Sequence, residues 1–257
     1  MVVRPGMMNP AEFANIARSE RDFWWYRGMR RILAAVLDPC LEKRTVARVF
    51  EGGCGTGYQS MLLQRDRKCR VFPSDLGWQG LQYARNMGVR NLAQADISRL
   101  PYPDGAFDLV LSLDVLVHFP RGTEDAAFRE LSRVLAPGGL LVLRVSALDA
   151  LRSRHSQFAQ ERQRFTRARL TRQVGACGIR VLRSTYANSL LLPVALGKFR
   201  IWEPLTRSAP SSGVIPVAPW LDRLLYAPLA LEAACLRAGV NFPLGQSLIL
   251  IGEKGNS

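Results

Sequence analysis

The chain has 257 residues, 48% of them hydrophobic, which is enough apolar material for one large domain with a buried core. This composition argues against a disordered chain. No apolar run reaches the roughly 20 residues that span a bilayer, and the N-terminus lacks the short apolar core of a secretory signal. Five cysteines without CxxC spacing indicate neither a metal site nor a disulfide framework. We therefore expect a cytoplasmic protein with reduced thiols.

The formal net charge is +14, from 35 lysines and arginines against 21 acidic residues. Such a charge suits an anionic acceptor, a lipid surface or a nucleic acid. Only four of the basic residues are lysine, and an arginine excess of this kind also arises from genome composition without any selected partner. The charge alone therefore leaves the kind of partner open.

Short apolar runs alternate with helical patterns between residue 46 and about residue 145, which is typical of a parallel sheet covered by helices. The predicted strands are residues 47–50, 70–73, 91–94, 107–113 and 140–145. A helical pattern lies between the last two, and Pro137, Gly138 and Gly139 are predicted to end it and turn the chain.

The chain changes character after residue 150, where an arginine-rich stretch is followed by two strand patterns at 179–186 and 247–253. We expect these two strands to pair as an antiparallel hairpin at one edge of the sheet. Three regions follow: an N-terminal helical cap (1–45), a core (46–186 and 247–257) and an apolar insertion (187–246). If the first late strand runs parallel to the main sheet, the insertion leaves at the carboxyl ends of the strands, where open α/β sheets bind ligands.

A glycine-rich turn joins the first strand to a helix and contains Gly53, Gly55 and Gly57 after the acidic residue Glu51. Glycines at these positions allow positive φ angles and a close approach of a ligand to the backbone. Tyr58 stands where the dinucleotide fingerprint requires glycine, so NAD is disfavoured. The turn indicates a different nucleotide-like ligand.

Two further acids follow strands in the same register. Asp75 lies 18 residues after Gly57 at the end of the second strand, where a carboxylate accepts protons from ribose hydroxyls. Asp96 and Ile97 follow the third strand and precede the run Leu-Pro-Tyr-Pro-Asp that begins at residue 100.

Together these segments resemble the class I S-adenosylmethionine-dependent methyltransferases. The turn resembles their D/E-x-G-x-G-x-G motif, residues 95–110 resemble their A-D-x-x-x-L-P-[FY]-P-D-x-x-F-D-x-V stretch, and residues 24–27 resemble a W-W-[FY]-R segment of the ubiquinone-biosynthesis-like branch, methyltransferase type 11. The resemblance implies a Rossmann-like α/β fold: a seven-stranded, mostly parallel sheet with an antiparallel last strand and helices on both faces. It also implies S-adenosylmethionine as the cofactor.

By the same resemblance Asp96 contacts the adenine amine, Ile97 covers the ring edge and Arg27 pairs with the cofactor carboxylate. The full set of cofactor-binding residues that it implies is Arg27, Glu51, Gly53, Gly55, Gly57, Asp75, Leu76, Asp96, Ile97 and Leu113.

Methyl transfer from a sulfonium is an in-line displacement that needs few catalytic groups, although a general base assists a hydroxyl or carbon acceptor. The chain has two histidines. His118 follows the fourth strand in a segment that resembles the family's L-x-V-L-E-H, with Val117 in place of glutamate, and is either the base or a cofactor-side or packing residue. His155 is a base candidate or a surface histidine, and Tyr26 is a third candidate.

Two features of the sequence indicate the kind of acceptor: the absence of one motif and the composition of the insertion. Residues 114–117 do not match the [DNS]-P-P-[YFW] motif of nucleic-acid amino-methyltransferases, so we expect no nucleic-acid partner. The apolar insertion with its flanking arginines suits a small-molecule or lipid-like acceptor or a peripheral membrane contact. Packing on the sheet edge or a dimer contact are alternatives.

A binding protein of this fold without methyl transfer, or an enzyme of another reaction such as cyclisation, is the rival function. The methylated atom and the oligomeric state stay open.

Overall fold

The structure is a computed structural model that describes residues 8–42, 44–67, 69–206, 209–214 and 216–255. The other residues of the predicted regions, namely 1–7, 43, 207–208, 215 and 256–257, together with residue 68, lie outside this description. Seven described strands form one sheet in the order β3-β2-β1-β4-β5-β7-β6. The strands are β1 (Arg48–Gly52), β2 (Arg70–Asp75), β3 (Ala93–Gln94), β4 (Phe107–Leu113), β5 (Leu135–Ser146), β6 (Ile179–Ala187) and β7 (Ser247–Lys254).

The first five strands are parallel, and β7 runs antiparallel to both β5 and β6. The predicted seven-stranded Rossmann-like sheet with an antiparallel last strand is therefore confirmed. Because β6 is antiparallel to β7 and β7 to β5, β6 points the same way as the parallel strands. The insertion after β6 thus leaves at the carboxyl ends, as the sequence suggested.

Helices surround the sheet and extend from its carboxyl end. They are α1 (Pro10–Ser19), α2 (Trp24–Leu41), α3 (Tyr58–Asp66), α4 (Trp78–Asn86), α5 (Asp125–Val134), α6 (Arg154–Phe158), α7 (Arg167–Gly175), α8 (Leu192–Leu196), α9 (Glu203–Thr206) and α10 (Pro219–Arg237). Residues Gly197–Trp202 form a π-helical segment between α8 and α9. No helix in the described ranges is long and apolar enough to cross a membrane.

The core has two layers, because both faces of the central strands are buried. Phe50 of β1 packs with the apolar faces of α5 and α7, whereas its neighbour Val49 packs with α2 and α10. This alternation follows from the two-residue period of a strand. Apolar residues on both faces explain why β4 and β5 read as continuous hydrophobic runs.

Two details of the predicted elements are wrong. The third strand is limited to Ala93–Gln94, because Asn91 has a positive φ of 58° in a bend and residue 92 has no regular structure. The Pro137–Gly139 triplet does not turn the chain after a helix; α5 already ends at Val134, and the triplet lies in an irregular first part of β5. Phe107 pairs with Leu135 but Leu109 pairs with Leu140, so β5 bulges there, and Gly138 has the positive φ that a bulge requires.

The crossing of α2 and α10 depends on a glycine. A Cβ added to Gly28 would lie 2.2 Å from the side chain of Leu229, whereas one added to Gly175 in α7 would meet nothing within 4 Å. We expect Gly28→Val to lower the free energy of unfolding by about 1–3 kcal/mol through overpacking. Gly175→Ala is the matched control and should be neutral or stabilising, since alanine favours a helix by up to about 1 kcal/mol. Urea denaturation measures both, and equal effects would contradict the packing argument.

Candidate active site

A cavity of about 710 Å³ lies at the carboxyl ends of β1, β2, β4 and β5. The strand-end loops form its floor, α1 and the start of α2 form one wall, and residues of the insertion form another. This volume falls in the usual range of ligand pockets, roughly 300–1,000 Å³. Of the predicted site residues, the cavity is lined by Tyr26, Glu51, Gly53, Gly55, Asp75, Leu76, Asp96, Ile97, Leu113, His118 and His155.

The glycine turn presents bare backbone to the cavity. The amides of Gly53 and Cys54 both donate to the carbonyl of Ser74, which fixes the turn against β2. A Cβ at Gly55 would meet nothing within 4 Å, so this residue borders open space. Gly57 is not in the cavity lining: its absent side chain makes room for Ala84 of α4, so its predicted contact with the cofactor stays a prediction.

Asp75 is the polar centre of the floor. One carboxylate oxygen accepts a hydrogen bond from the amide of Gly55 at 2.8 Å, and the other accepts from the amide of Gly77 at 2.7 Å. Burial raises the pKa of this carboxyl, and the amide hydrogen bonds oppose that shift. Each oxygen keeps a further lone pair, so the carboxylate is able to accept hydroxyl protons from a ligand.

Asp96, Ile97, Leu76 and Leu113 form an adjacent wall. The Oδ1 atom of Asp96 accepts hydrogen bonds from the amide and the hydroxyl of Ser98, at 2.8 and 2.7 Å. These bonds fix the carboxylate and leave Oδ2 for a ligand. Ile97 is buried beside it and supplies an apolar surface.

Glu51 lies at the end of β1 and is almost completely buried. Burial raises its pKa to about 7, the Ser60 hydroxyl that donates to it lowers the pKa, and the nearby Asp75 carboxylate raises it further. The cavity therefore contains a carboxyl group that is poised between its charged and neutral forms near neutral pH.

The N-terminal helices contribute two acids that the sequence analysis missed. Glu20 accepts a hydrogen bond from the Thr56 hydroxyl of the glycine turn, and burial raises its pKa to about 7. Glu12 is buried on the cavity side of α1. Acids far from a recognisable motif cannot be identified as site residues from the sequence. Only their helical spacing, which places positions 12, 16 and 20 on one face of an extended helix, indicates that both acids point the same way.

The aromatic-basic segment at the start of α2 is divided between the cavity and α10. Trp25 and Tyr26 line the cavity, but Arg27 does not: its guanidinium binds Asp222 at 2.6 Å and lies 4.6 Å from the ring centroid of Tyr226. The structure therefore argues against Arg27 as a partner of the cofactor carboxylate, because α10 already engages it. Burial raises the pKa of Tyr26, so its phenol is a hydrogen-bond donor and not a base at neutral pH.

Arg144, unlike Arg27, lines the cavity, although a carboxylate engages its guanidinium as well. It extends from β5 into the cavity wall, binds Asp114 at 2.6 Å, and lies 5.5 Å from the Trp25 ring centroid. Asp114 itself has a positive φ of 60° in the loop after β4. The ion pair joins the ends of two neighbouring strands, so no contiguous motif announces it.

The two histidines differ in the nitrogen that is free to react. Nδ1 of the buried His118 lies 3.2 Å from the carbonyl of Gln160, and because a carbonyl only accepts, this nitrogen carries the proton. Nε2 of a neutral His118 is then a proton acceptor. Burial lowers the pKa of the imidazole below its ordinary value of 6.5, which keeps it neutral at neutral pH.

His155 has the opposite arrangement. Its Nδ1 accepts a hydrogen bond from the amide of Gly213 at 2.9 Å, so a neutral His155 carries its proton on Nε2. Glu12, which also accepts from the Ser212 hydroxyl, lies 3.7 Å from the same Nδ1. Of the two predicted bases, only His118 presents a free lone pair while keeping its observed hydrogen bond.

Comparisons with known proteins agree with this geometry. Residues 50–143 match the family described as "Methyltransferase domain". A malonyl-[acyl-carrier protein] O-methyltransferase of Enterobacter lignolyticus is 34% identical over 148 residues, which are 57% of this chain and 58% of that protein. A fatty-acid O-methyltransferase of Mycolicibacterium smegmatis is 35% identical over 36% of this chain and 34% of that protein. The chain thus matches between a third and three fifths of these relatives' lengths.

Among solved structures, phosphoethanolamine N-methyltransferase 2 of Haemonchus contortus in complex with S-adenosyl-L-methionine superposes with a TM-score of 0.56 at 16% identity. The match covers 88% of this chain and 52% of that chain and shows the shared fold. The chain contains a methyltransferase domain. The resemblance of this domain to class I S-adenosylmethionine-dependent methyltransferases, stated from the motifs, is confirmed.

The cavity of this methyltransferase domain suits that cofactor. Gly55 leaves space beside the turn, and Asp75 and Asp96 offer free acceptor sites for hydroxyl and amine protons. S-adenosylmethionine carries positive charges on its sulfonium and ammonium groups, and the carboxyls that line the cavity include those of Glu12, Glu20, Glu51, Asp75 and Asp96. Opposite charges within a largely buried site attract strongly.

Asp75→Asn should weaken S-adenosylhomocysteine binding by roughly tenfold or more, because an amide cannot accept from both glycine amides and also from a ligand without leaving a donor unpaired. Asp108→Asn is the matched control: Asp108 also accepts from two backbone amides, those of Ala47 and Arg48, but outside the cavity lining. Calorimetric titration of both folded variants measures the effect. Unchanged affinity in the Asp75 variant would contradict its assigned role.

The buried acids also make stability depend on pH. The folded-state pKa of Glu51 is about 7, above its ordinary value of 4.5, so the folded state retains a proton that the unfolded state loses. The contribution of Glu51 to the free energy of unfolding is therefore fully present below pH 4.5. This contribution, roughly 3 kcal/mol, is lost as the pH rises toward 7. Urea unfolding of the cofactor-free protein between about pH 5 and about pH 8 should show this fall, and Glu51→Gln should reduce it. An identical pH profile for both proteins would refute the assignment.

Proposed function

We propose that this protein is an S-adenosylmethionine-dependent methyltransferase that transfers a methyl group to a small-molecule or lipid-like acceptor. The observation that carries the proposal is one cavity whose lining combines the glycine turn, Asp75 and His118, whose Nδ1 is held by the carbonyl of Gln160. The named O-methyltransferases among the relatives support the same reaction class.

The cofactor, when bound, supplies an activated methyl group, so the protein has to position the acceptor and exclude water. Tyr26 and Trp25 close the cavity from α2, and α1 covers the turn, because Phe13 packs where side chains of Gly77 and Gly80 would be. His118 Nε2 accepts the proton that an acceptor hydroxyl or acid loses on methylation.

The walls beyond His118 favour an apolar acceptor. The cap and the insertion contribute aromatic and aliphatic side chains to the lining, namely Phe23, Trp24, Met29, Phe199, Trp202, Val214, Val217 and Leu225. They also contribute polar side chains, among them Asn188, Lys198 and Glu203. Ser146 donates to Glu161 at 2.9 Å, and Glu161 is held by Arg164. Such a lining suits an acceptor with an apolar body and one polar reactive end.

We place the enzyme in the cytoplasm, as part of small-molecule biosynthesis and without a nucleic-acid substrate. The five cysteines are all free thiols, which supports a reducing compartment. The apolar acceptor walls offer no row of stacked aromatic and basic side chains for nucleotides.

Product analysis tests the function directly. The protein is incubated with S-adenosylmethionine and a panel of lipophilic acids, alcohols and phenols, and mass spectrometry identifies products that are heavier by one methylene. Cofactor binding without any methylated product across the panel would favour a binding protein. A rearranged product without added mass would favour another reaction such as cyclisation.

His118→Asn should lower kcat by roughly 100-fold or more while cofactor affinity is retained, because the amide can still donate to Gln160 but cannot accept a proton. Because burial lowers the pKa of His118, the wild-type rate should fall only on the acid side of the ordinary imidazole pKa, and the variant should lose this dependence. His155→Asn is the comparison and should lower kcat far less. Equal losses in both variants would contradict the choice of base.

A further inference from the structure

The outer face of the insertion is apolar and exposed. From α8 through the π-helical segment to α9, the residues Val194, Ile201, Trp202 and Leu205 are between 58% and 74% exposed. Val194, Ile201 and Leu205 follow one another at spacings of seven and four residues, which favours one side of the helical segment, whereas Leu191 and Ala195 are buried. An exposed row of large apolar side chains on this scale marks a surface that contacts another phase or molecule.

The start of α10 extends this character. Trp220 and Leu224 are 67% and 60% exposed. Both segments border the same cavity, because Trp202 lines it from the first and Leu225 lines it from the second. We call the exposed residues Val194, Ile201, Trp202, Leu205, Trp220 and Leu224 the outer face.

The charges around the outer face are positive. Lys198, Arg200 and Arg223 are exposed and have no ion pair among the described residues. The acids of the same segments are engaged: Asp222 binds Arg27, and Glu203 accepts from the backbone amide of Arg154. Cations without ion pairs, beside exposed tryptophan and aliphatic side chains, complement a surface whose outer layer is anionic and whose next layer is apolar.

We propose that the outer face docks on an anionic lipid surface and that the acceptor cavity opens toward it. Tryptophan favours the interface between lipid and water, and an amphipathic helix with basic residues binds in the interface plane. Exposed tryptophan and aliphatic side chains beside cations without ion pairs match the charge and polarity of an anionic lipid surface. Delivery of a lipid-like acceptor through the cavity mouth rests on the proposed function, whereas docking itself does not.

Vesicle co-sedimentation of the full-length, cofactor-free protein tests the docking. Phosphatidylcholine vesicles with phosphatidylglycerol are compared with phosphatidylcholine alone. The wild type should bind the anionic vesicles at least tenfold more tightly, since each basic residue near such a surface contributes about 1 kcal/mol. Leu205→Ser combined with Trp220→Ser should reduce this binding by roughly tenfold or more, because both residues leave water on docking. These two residues lie outside the cavity lining.

Trp78→Ser is the matched control, because Trp78 is also an exposed tryptophan but lies on α4, away from the insertion. It should bind vesicles like the wild type. Arg200→Glu combined with Arg223→Glu should lose the preference for anionic vesicles, and this variant carries the test if the apolar variant does not fold.

Four results would overturn the proposal. Failure of the wild type to bind anionic vesicles contradicts docking, and so does equal binding by the wild type and the apolar variant. Binding to an acidic acyl carrier protein instead of vesicles assigns the outer face to a protein partner. A wild-type dimer that the apolar variant converts to a monomer, without vesicle binding, assigns it to a second copy. The assay needs no turnover, so absence of methyl transfer leaves its result unaffected.

Discussion

The site depends on the carboxylate of Asp75, which binds the backbone amides of Gly55 and Gly77. These amides belong to the loops after β1 and β2, so a single side chain at the end of β2 fixes both loops at the carboxyl edge of the sheet. The cap is then built on this arrangement: Phe13 of α1 packs against Gly77 and Gly80, where no side chain obstructs it. One ionisable group therefore couples the sheet, the glycine turn and the covering helix.

The sequence predicts the parts of the site that lie within one contiguous βα unit. Glu51, Asp75 and Asp96 follow their strands at fixed spacing, and the structure brings all three to one cavity. The sequence does not predict the partner of a side chain when that partner lies in a distant segment. Arg27 is the neighbour of the cavity residue Tyr26 in the chain, but Asp222, almost 200 residues later, binds it.

Boundaries fail for a related reason. The Pro137–Gly139 triplet resembles a turn locally, but pairing of Leu135 with Phe107 extends β5 backward through it. A strand register depends on a partner strand that the local pattern does not contain. The same limit applies to Arg144 and Asp114, which meet only because β4 and β5 are neighbours.

Buried acids explain why this cavity favours a cationic ligand over an empty, water-filled state. Glu20 and Glu51 both have a pKa of about 7, raised by burial, so ionising them costs free energy in the absence of a compensating charge. A ligand that carries positive charge stabilises the ionised carboxylates, and this stabilisation adds to its binding free energy. A neutral nucleotide does not gain this contribution. The insertion contributes aromatic and aliphatic residues to the same cavity, namely Phe199, Trp202, Val214, Val217 and Leu225. These apolar side chains extend from the cavity to the exposed face at Trp202, whereas the buried acids lie on the cap and at the strand ends.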